Sequence, residues 1–261
     1  MNLDVNHEVI KIWRKYYIDN QFELSNEIKL VPMFYDKTEY FPEKNKIRIL
    51  SVGFNPSYVE NNYEKLNNSE KIMLKHKWEN FECKDVEAIL KIDIALRKET
   101  ENYEYLYYKP YFKPLEDFYN RIRVFQRKEL QKSHFDLFFV RGTDQKEVQK
   151  ILINKQKRKN KNSGEKETNL THFGEDNISL FKKMLSVFNP SIIFVFNAGS
   201  SHIFYEKILN YKKMSNDGFY YLDTDNNSIP VVLSTMITNG RMDVFSRELL
   251  LWQINKYLKL V

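Results

Sequence analysis

Short apolar runs alternate with amphipathic segments along much of the chain. Four runs have the length and composition of buried β-strands: Lys46–Phe54, Phe135–Val140, Ser191–Phe196 and Ile229–Thr235. Each ends in small or polar residues, and segments with apolar residues at helical spacing separate them. Buried strands that alternate with helices are typical of a mostly parallel sheet with helices on both faces. The pattern therefore predicts an α/β fold, a three-layer α/β/α sandwich with a four-stranded central sheet.

The remaining sequence predicts the helices and one irregular insertion. An apolar stripe near the start of the chain predicts a helix in an N-terminal extension of about residues 1–45. The charged segment at about 155–170 is poor in apolar residues and is interpreted as a mobile surface insertion. No linker or repeat divides the sequence, which favours a single domain over residues 1–261. Further helices are predicted at Leu115–Phe125, Ile178–Phe188, Ser201–Leu209 and Val244–Leu258, and a rigid aromatic turn at Lys109–Pro114.

Composition narrows the class of protein. No apolar run approaches the roughly 18–20 residues that span a bilayer, so a cytoplasmic protein that does not bind a membrane is expected. The single cysteine and the five scattered histidines argue against a disulfide framework and a metal site, and no motif requires a cofactor. The net charge of +6 agrees with an anionic partner such as nucleic acid. A lysine-rich surface without any special function would give the same charge.

Small or amide-bearing residues follow each predicted strand. The four segments are Gly53–Ser57, Arg141–Gln145, Asn197–Ser201 and Ser234–Arg241. Ligands of open parallel sheets bind at the carboxyl ends of the strands. We therefore expect these four turns to meet around one cleft that takes a polar planar or phosphorylated ligand.

The residues after the first strand carry a resemblance to a known family. The sequence VGFNPS, at 52–57, resembles the Gly-x-Asn-Pro-Gly/Ser motif of the mismatch-specific and single-strand-selective uracil-DNA glycosylases. The segment KPYFKPLEDFYNRI, from Lys109, is similar to an aromatic segment between the first two strands of that superfamily. FVRGT at 139–143 and the final GRMDVFS at 240–246 are similar to a bacterial branch of it. The resemblance covers roughly residues 46–258 and implies the uracil-DNA glycosylase fold and a nucleobase in nucleic acid, DNA in the first place, as ligand.

The resemblance implies a catalytic pocket at the first of these turns. Asn55 matches the family residue that positions the attacking water, and Gly53, Phe54, Pro56 and Ser57 would line the pocket around it. An amide is a weak base, so Asn55 would orient the water while the leaving group does most of the work. The alternative is an ordinary turn in which Asn55 caps the next helix.

Two aromatic residues and one arginine match positions that hold the base. Tyr111 and Phe112 would stack on it, and core packing is the alternative for either residue. Arg141 stands where active uracil glycosylases carry an asparagine that reads the base edge. Its guanidinium only donates hydrogen bonds, so it suits a phosphate, a carboxylate or a guanine edge and not uracil. The alternative is an ion pair with Asp136 or Asp144.

The third turn matches family contacts to the nucleic-acid backbone. Asn197 would contact the ligand, and Gly199 and Ser200 would offer amides to a phosphate at the start of a helix. The alternative is that Asn197 simply caps that helix.

The fourth turn departs most from the family. Ser234 and Thr235, which match backbone contacts, begin the sequence STMITNGRMD, whereas the family has a His-Pro-Ser motif here. The family histidine stabilises the departing base anion. Arg241 would supply positive charge in its place, and pairing with Asp243 or Glu248 is the alternative.

Three functional hypotheses remain open. The first is a glycosylase-like enzyme that hydrolyses the N-glycosidic bond of a base in nucleic acid. The second is a non-catalytic module of the same fold that binds a nucleotide or nucleic acid, and the missing histidine and Arg141 favour it. The third is a generic flavodoxin-like or Rossmann-type domain, which the absence of a GxGxxG or phosphate-loop motif disfavours.

Overall fold

The computed structural model describes residues 3–18, 30–55, 109–122, 129–142, 145–154, 158–159, 166–224, 227–235 and 242–260. The helices of this part of the chain are α1 Val5–Trp13, α2 Lys37–Tyr40, α3 Lys109–Tyr119, α4 Gln145–Leu152, α5 His172–Phe188, α6 Ala198–Lys207 and α7 Val244–Leu260, and a π-helical turn, Arg14–Ile18, follows α1. The strands are β1 Leu30–Pro32, β2 Ile47–Gly53, β3 Leu130–Asp136, β4 Val140–Gly142, β5 Arg158–Lys159, β6 Lys166–Glu167, β7 Ile192–Phe196, β8 Tyr220–Asp223 and β9 Ser228–Ser234.

The chain divides into two compact units. The first unit consists of Met1–Tyr40, Phe54–Ala95 and Asp136–Val187. The second consists of Phe41–Gly53, Leu96–Phe135 and Phe188–Val261.

The second unit is built on a five-stranded, mostly parallel sheet with the strand order β3-β2-β7-β9-β8. β7 runs parallel to both of its neighbours, with Ile193 in register with Leu50 of β2 and with Val231 of β9. β8 pairs with β9 in the antiparallel direction. The α/β class and the mostly parallel sheet agree with the prediction from the apolar runs. The predicted number of strands was wrong, because β8 is only partly buried and shows no continuous apolar run.

Aromatic residues form the centre of the core on one face of this sheet. Phe194 and Phe196 of β7 stack with their ring centroids 5.4 Å apart, and Phe118 of α3 meets both edge-on at 5.7 and 5.6 Å. Leu251 and Ile254 of α7 are buried in the same cluster. All five residues of β7 are buried, as expected of a central strand that is covered on both faces.

Polar contacts to one backbone position join three segments of the first unit. The Trp13 indole of α1 donates to the Phe139 carbonyl at 3.2 Å. The fully buried Asn177 of α5 accepts from the Phe139 amide at 2.8 Å and donates to the Phe173 carbonyl at 2.8 Å. Buried backbone groups need such partners, because an unpaired buried amide costs about 1–3 kcal/mol. These bonds hold the segment before β4 against α1 and α5.

The second predicted strand, Phe135–Val140, was wrong in its bounds. β3 covers Leu130–Asp136, and the chain then bends at Leu137 and Phe138. The apolar side chains after the bend are buried in the first unit and do not continue β3. β3 lies at one end of the described sheet, where a strand needs no continuous apolar run, so its mixed sequence LQKSHFD gave no strand signal.

The predicted aromatic turn at Lys109–Pro114 was also wrong, because this segment is the first half of α3. Pro110 lies in the first turn of the helix, where no amide donor is needed. Pro114 lacks the amide that would bond to the Pro110 carbonyl, and the helix nevertheless continues through it. Burial of Leu115 and Phe118 in the sheet core outweighs that loss.

The observed start of α5 and the structure of the predicted insertion also differ from the sequence predictions. α5 begins at His172 and not at Ile178, because the Thr171 hydroxyl accepts from the Gly174 amide at 3.1 Å and caps the first turn. Within the predicted insertion, β5 and β6 pair in the antiparallel direction and Ile153 bridges to Leu170. Residues 158–159 and 166–167 of that segment therefore form a short antiparallel ladder. None of the helices in the described ranges has the length and apolar character to cross a membrane.

Candidate functional site

The carboxyl ends of three parallel strands lie at one edge of the sheet in the second unit. Val195 of β7 is in register with Val52 of β2 and with Leu233 of β9. The turns that begin at Gly53, Asn197 and Ser234 therefore leave the sheet at the same edge, which we call the carboxyl edge. This is the edge at which open parallel sheets bind ligands.

Ser201 of α6 joins two of these strand ends. Its hydroxyl lies 2.9 Å from the Val195 carbonyl oxygen and 2.9 Å from the Ser234 carbonyl oxygen, so its one proton can be donated to either. The bond holds the start of α6 between β7 and β9. Sequence reasoning missed this residue, because a serine in the first turn of a helix gives no indication of which strand ends it will meet.

Asn197 is the N-cap of α6. Its side-chain oxygen accepts from the Gly199 amide at 2.9 Å and from the Ser200 amide at 3.2 Å, and its backbone is extended. The two amides that were predicted to bind a phosphate are therefore already bonded to Asn197. The Ser200 hydroxyl is fully buried, and no described residue forms a hydrogen bond with it. The structure therefore confirms the alternative interpretation, in which Asn197 caps the helix.

Replacing Asn197 by alanine should lower the free energy of unfolding by about 1 kcal/mol, because the Gly199 and Ser200 amides lose their acceptor. Asn197→Asp is the matched control, since a carboxylate keeps the acceptor and should leave stability nearly unchanged. Urea denaturation of the three proteins measures the difference. Equal midpoints for the alanine variant and the original protein would show that the cap contributes nothing.

Asn55, which was predicted to position the attacking water, comes two residues after the end of β2. Gly53 and Phe54 are buried, and the Phe54 ring lies 5.0 Å from that of Phe138 in the first unit. The Phe54 carbonyl accepts from the Phe138 amide at 3.2 Å. Asn55 is half-buried and takes part in further contacts of its own. Its predicted pocket neighbours at 56 and 57 lie outside the described residues.

Arg141 does not lie in a loop that leaves the sheet. It is the middle residue of β4, opposite Val31 of β1, so its predicted position directly after a sheet strand was wrong. The cause is the early end of β3. The side chain is half-buried, and its Nε lies 3.1 Å from the Met33 sulfur.

Arg141 belongs to a charged environment around a buried phenol. Burial raises the pKa of Tyr35 well above its ordinary value, the charge of Asp136 adds to this, and the charge of Arg141 opposes it. The Tyr35 hydroxyl also accepts from the Asp136 amide at 2.9 Å. Whether Arg141 contacts a ligand stays a prediction, as does the single cleft that joins all four turns.

The remaining predicted site residues are described only in part. Tyr111 and Phe112 lie in α3, and their side chains are outside the described residues, as is Arg241. Ser234 is half-buried at the end of β9, and Thr235 is exposed. Two acids were considered as partners of Arg241, and both have other partners. Glu248 pairs with Arg121. The Asp243 carboxylate accepts from the Ser246 amide at 2.9 Å and so caps the start of α7.

A second polar cluster lies inside the sheet of the same unit and was missed from the sequence. The Ser51 hydroxyl of β2 lies 2.8 Å from His134 Nδ1 and 3.2 Å from the Ser133 carbonyl oxygen of β3. Burial raises the pKa of the neighbouring Tyr119, and Ser51 offsets part of this. Ser51 precedes the end of β2 by two residues, and its contacts with Ser133 and His134 join β2 to β3. The only sequence signal of the cluster was a histidine in a segment that was not recognised as a strand.

Comparison with known proteins adds no assignment. No protein-family model matches the chain, and no protein of curated function is significantly similar to it. Among the residues that the structure describes, no group of three or more His, Cys, Asp or Glu side chains could hold a metal ion. The features of the candidate site are therefore the three strand ends at the carboxyl edge and the motif at Asn55.

Proposed function

We propose that this protein is a uracil-DNA glycosylase-like protein with the three-layer sandwich of that superfamily. It binds a nucleobase in nucleic acid, and it hydrolyses the N-glycosidic bond of that base. The observation that carries the proposal is the register of β2, β7 and β9, by which the turns at Gly53, Asn197 and Ser234 leave one edge of the sheet. The GFNPS motif follows the first of these strands, as it does in the superfamily that it resembles.

The proposed chemistry needs little from the protein beyond orientation. Asn55 holds the attacking water in line with the glycosidic carbon. As the carbon–oxygen bond forms, the carbon–nitrogen bond breaks, the base departs as an anion that positive charge stabilises, and the proton of the water passes to the departed base. Arg241 supplies that charge in the place of the family histidine. The Asn55 side chain is half-buried and already has other contacts, which would hold its amide in place to orient a water molecule.

The base is recognised by aromatic stacking and by hydrogen-bond donors. Tyr111 and Phe112 of α3 stack on the extruded base, with about 1–3 kcal/mol from each stacked base. Arg141 donates to two adjacent acceptors on the base edge or to a phosphate, which favours a purine with O6 and N7 side by side, such as guanine or hypoxanthine. The net charge of +6 favours a polyanionic partner.

Replacing Asn55 by alanine should lower the rate of base release by about 100-fold or more, because a misplaced water loses its attack geometry. The measurement is an abasic-site assay on oligonucleotides with uracil, hypoxanthine or mismatched bases. Asn120→Ala, at an exposed asparagine just after α3, is the control and should keep full activity. Base release by the original protein that survives Asn55→Ala would remove the proposed role of this residue.

A non-catalytic binding module on the same fold is the second candidate. Two observations favour it: the final loop contains no histidine, and Asn197 already occupies the amides that would hold a phosphate. The module predicts binding of single-stranded or mismatched DNA that weakens steeply with salt, since phosphate contacts release counterions. Binding without any abasic product identifies the module, whereas product formation identifies the enzyme.

A further inference from the structure

Arg247, in the first turn of α7, lies on the side of that helix that faces the core of the second unit. It precedes Leu251, Ile254 and Leu258 at helical spacing, and these three side chains are buried in the aromatic core. The Arg247 side chain is half-buried and its Nε is buried, and no described residue forms a hydrogen bond with that nitrogen. Buried donors in native proteins almost always have an acceptor, so this arginine is unusual.

The two acids nearest to Arg247 along α7 are bonded to other groups. Asp243 stands four residues before it, the usual spacing of an ion pair, but its carboxylate accepts from the amide and the hydroxyl of Ser246. The Glu248 carboxylate accepts two hydrogen bonds from Arg121. These bonds hold the pKa of Glu248 below its ordinary value, and the charge of Arg247 adds to this. Within the described part of the chain, Arg247 therefore has no acid as its partner.

Contacts along α7 show that its first turn lies toward the carboxyl edge. β8 runs antiparallel to β9, so the residues just before β8 lie toward the end of β9 at that edge. The Tyr257 ring lies 5.7 Å from the ring of Phe219, just before β8. The Gln253 side-chain nitrogen lies 3.5 Å from the carbonyl oxygen of Asp217, two residues earlier. The start of α7 thus points to the carboxyl edge, and Arg247 lies about 9 Å beyond Gln253 in that direction.

We propose that Arg247 binds a phosphate group of the ligand at the carboxyl edge. A guanidinium offers two parallel N–H donors that match two oxygens of a phosphate, and it keeps its charge throughout the physiological pH range. A phosphate in contact with Arg247 would supply the counter-charge that the described acids do not. The net charge of +6 favours such an anionic ligand as well.

The inference rests on the proposed function for the location and the kind of ligand, and it adds a separate role. In the chemistry proposed above, Arg241 stabilises the departing base. Arg247 holds the phosphate that is attached to the sugar of that base. A nucleic-acid strand and a free nucleotide both present this group, and the experiment below distinguishes the two.

The test measures how tightly the full chain binds inorganic phosphate, deoxyguanosine monophosphate and a single-stranded decanucleotide, by calorimetry at constant ionic strength. Arg247→Met keeps most of the side-chain volume and removes the donors. It should weaken binding of the nucleotide or the decanucleotide by about 10- to 100-fold, as expected when a charged hydrogen bond is lost. Arg247→Lys keeps the charge without the forked donors and should bind with intermediate affinity.

Lys44→Gln is the matched control, because it also removes one positive charge. Lys44 is exposed and lies just before β2, so it stands at the opposite edge of the same sheet. This variant should bind each probe within about twofold of the original protein, since one distant exposed charge is largely screened by salt.

Thermal unfolding of the same variants separates ligand binding from a structural role. Arg247→Met should unfold at the same temperature as the original protein or at a higher one, because no described hydrogen bond of the Arg247 side chain is lost. The nucleotide or the decanucleotide should raise the unfolding temperature of the original protein and of Lys44→Gln, but not of Arg247→Met, because a ligand stabilises only the state that binds it. Chloride at the same ionic strength is the control salt.

Three results would overturn the inference: no binding of any phosphorylated probe, equal weakening in Arg247→Met and Lys44→Gln, or a lower unfolding temperature of Arg247→Met with unchanged binding. Tighter binding of the nucleotide supports a free nucleotide as the carrier of the phosphate, and tighter binding of the decanucleotide supports a strand. The abasic-site assay separates the two proposals. Binding that depends on Arg247 without base release keeps the phosphate site and removes the hydrolysis, whereas base release at the full rate by Arg247→Met does the reverse.

Discussion

Replacing Phe194 by alanine is expected to lower the free energy of unfolding by about 3–5 kcal/mol. The residue is fully buried in β7, the central strand of the five-stranded sheet. Its ring lies 5.7 Å from Phe118, 5.4 Å from Phe196 and 6.1 Å from Tyr119, measured between centroids. Removing it leaves a cavity between the sheet and α3 that these rigid rings cannot fill, so the lost transfer free energy and the cavity cost add.

Chemical denaturation followed by circular dichroism measures this loss. Phe194→Leu is the control, because it removes less volume and should cost under about 1.5 kcal/mol. A loss below about 1 kcal/mol for the alanine variant, with the slope of the transition unchanged, would mean that the cluster packs loosely. The aromatic core of the second unit would then not be the main source of its stability.

Gly174→Ala in α5 is expected to destabilise the first unit by about 1–3 kcal/mol. The usual effect of this change within a helix has the opposite sign, a gain of up to about 1 kcal/mol. At Gly174 an added Cβ would lie 2.5 Å from the Leu152 carbonyl oxygen at the end of α4 and 3.4 Å from the Leu170 Cβ. The close contact is with backbone, which cannot rotate away, so the two segments must move apart.

The measurement is the change in thermal stability of Gly174→Ala and of Ser179→Ala, two variants of the same helix. Ser179 is exposed, and its replacement should stabilise α5 by a few tenths of a kcal/mol through helix propensity alone. Opposite signs for the two variants are the expected result. A gain in stability for both variants would mean that the distance between Gly174 and the Leu152 carbonyl is larger than in this structure.

The candidate site was predictable only where local sequence determines geometry. The turns after β2, β7 and β9 could be identified because each follows a buried apolar run, and parallel strands put their carboxyl ends together. The cap at Asn197 was foreseen as an alternative, since an asparagine before a helix has few other roles. Arg141 was misplaced because the position of β3 was wrong. The role of Ser201 depends on two carbonyl groups that are 6 and 33 residues away in the chain, and no local pattern encodes it.

The resemblance to the glycosylases and the strand register are independent of each other. The register follows from backbone pairing, whereas the resemblance depends on GFNPS and a few softer matches. A negative abasic-site assay would remove the resemblance as a guide to chemistry and leave the strand register, and with it the shared carboxyl edge, unchanged.

By itself the sequence determined the α/β class, the three central strands and the existence of the terminal helix α7, because buried strands leave continuous apolar runs and helices leave a periodic apolar signal. Only the tertiary structure decided the rest. β3 and β8 are strands because they add to an existing sheet, and α3 continues through Pro114 because its apolar face is buried. Ser201, Asn177 and Gly174 contact residues in distant segments of the chain. Such contacts depend on tertiary packing, and the local sequence does not indicate them.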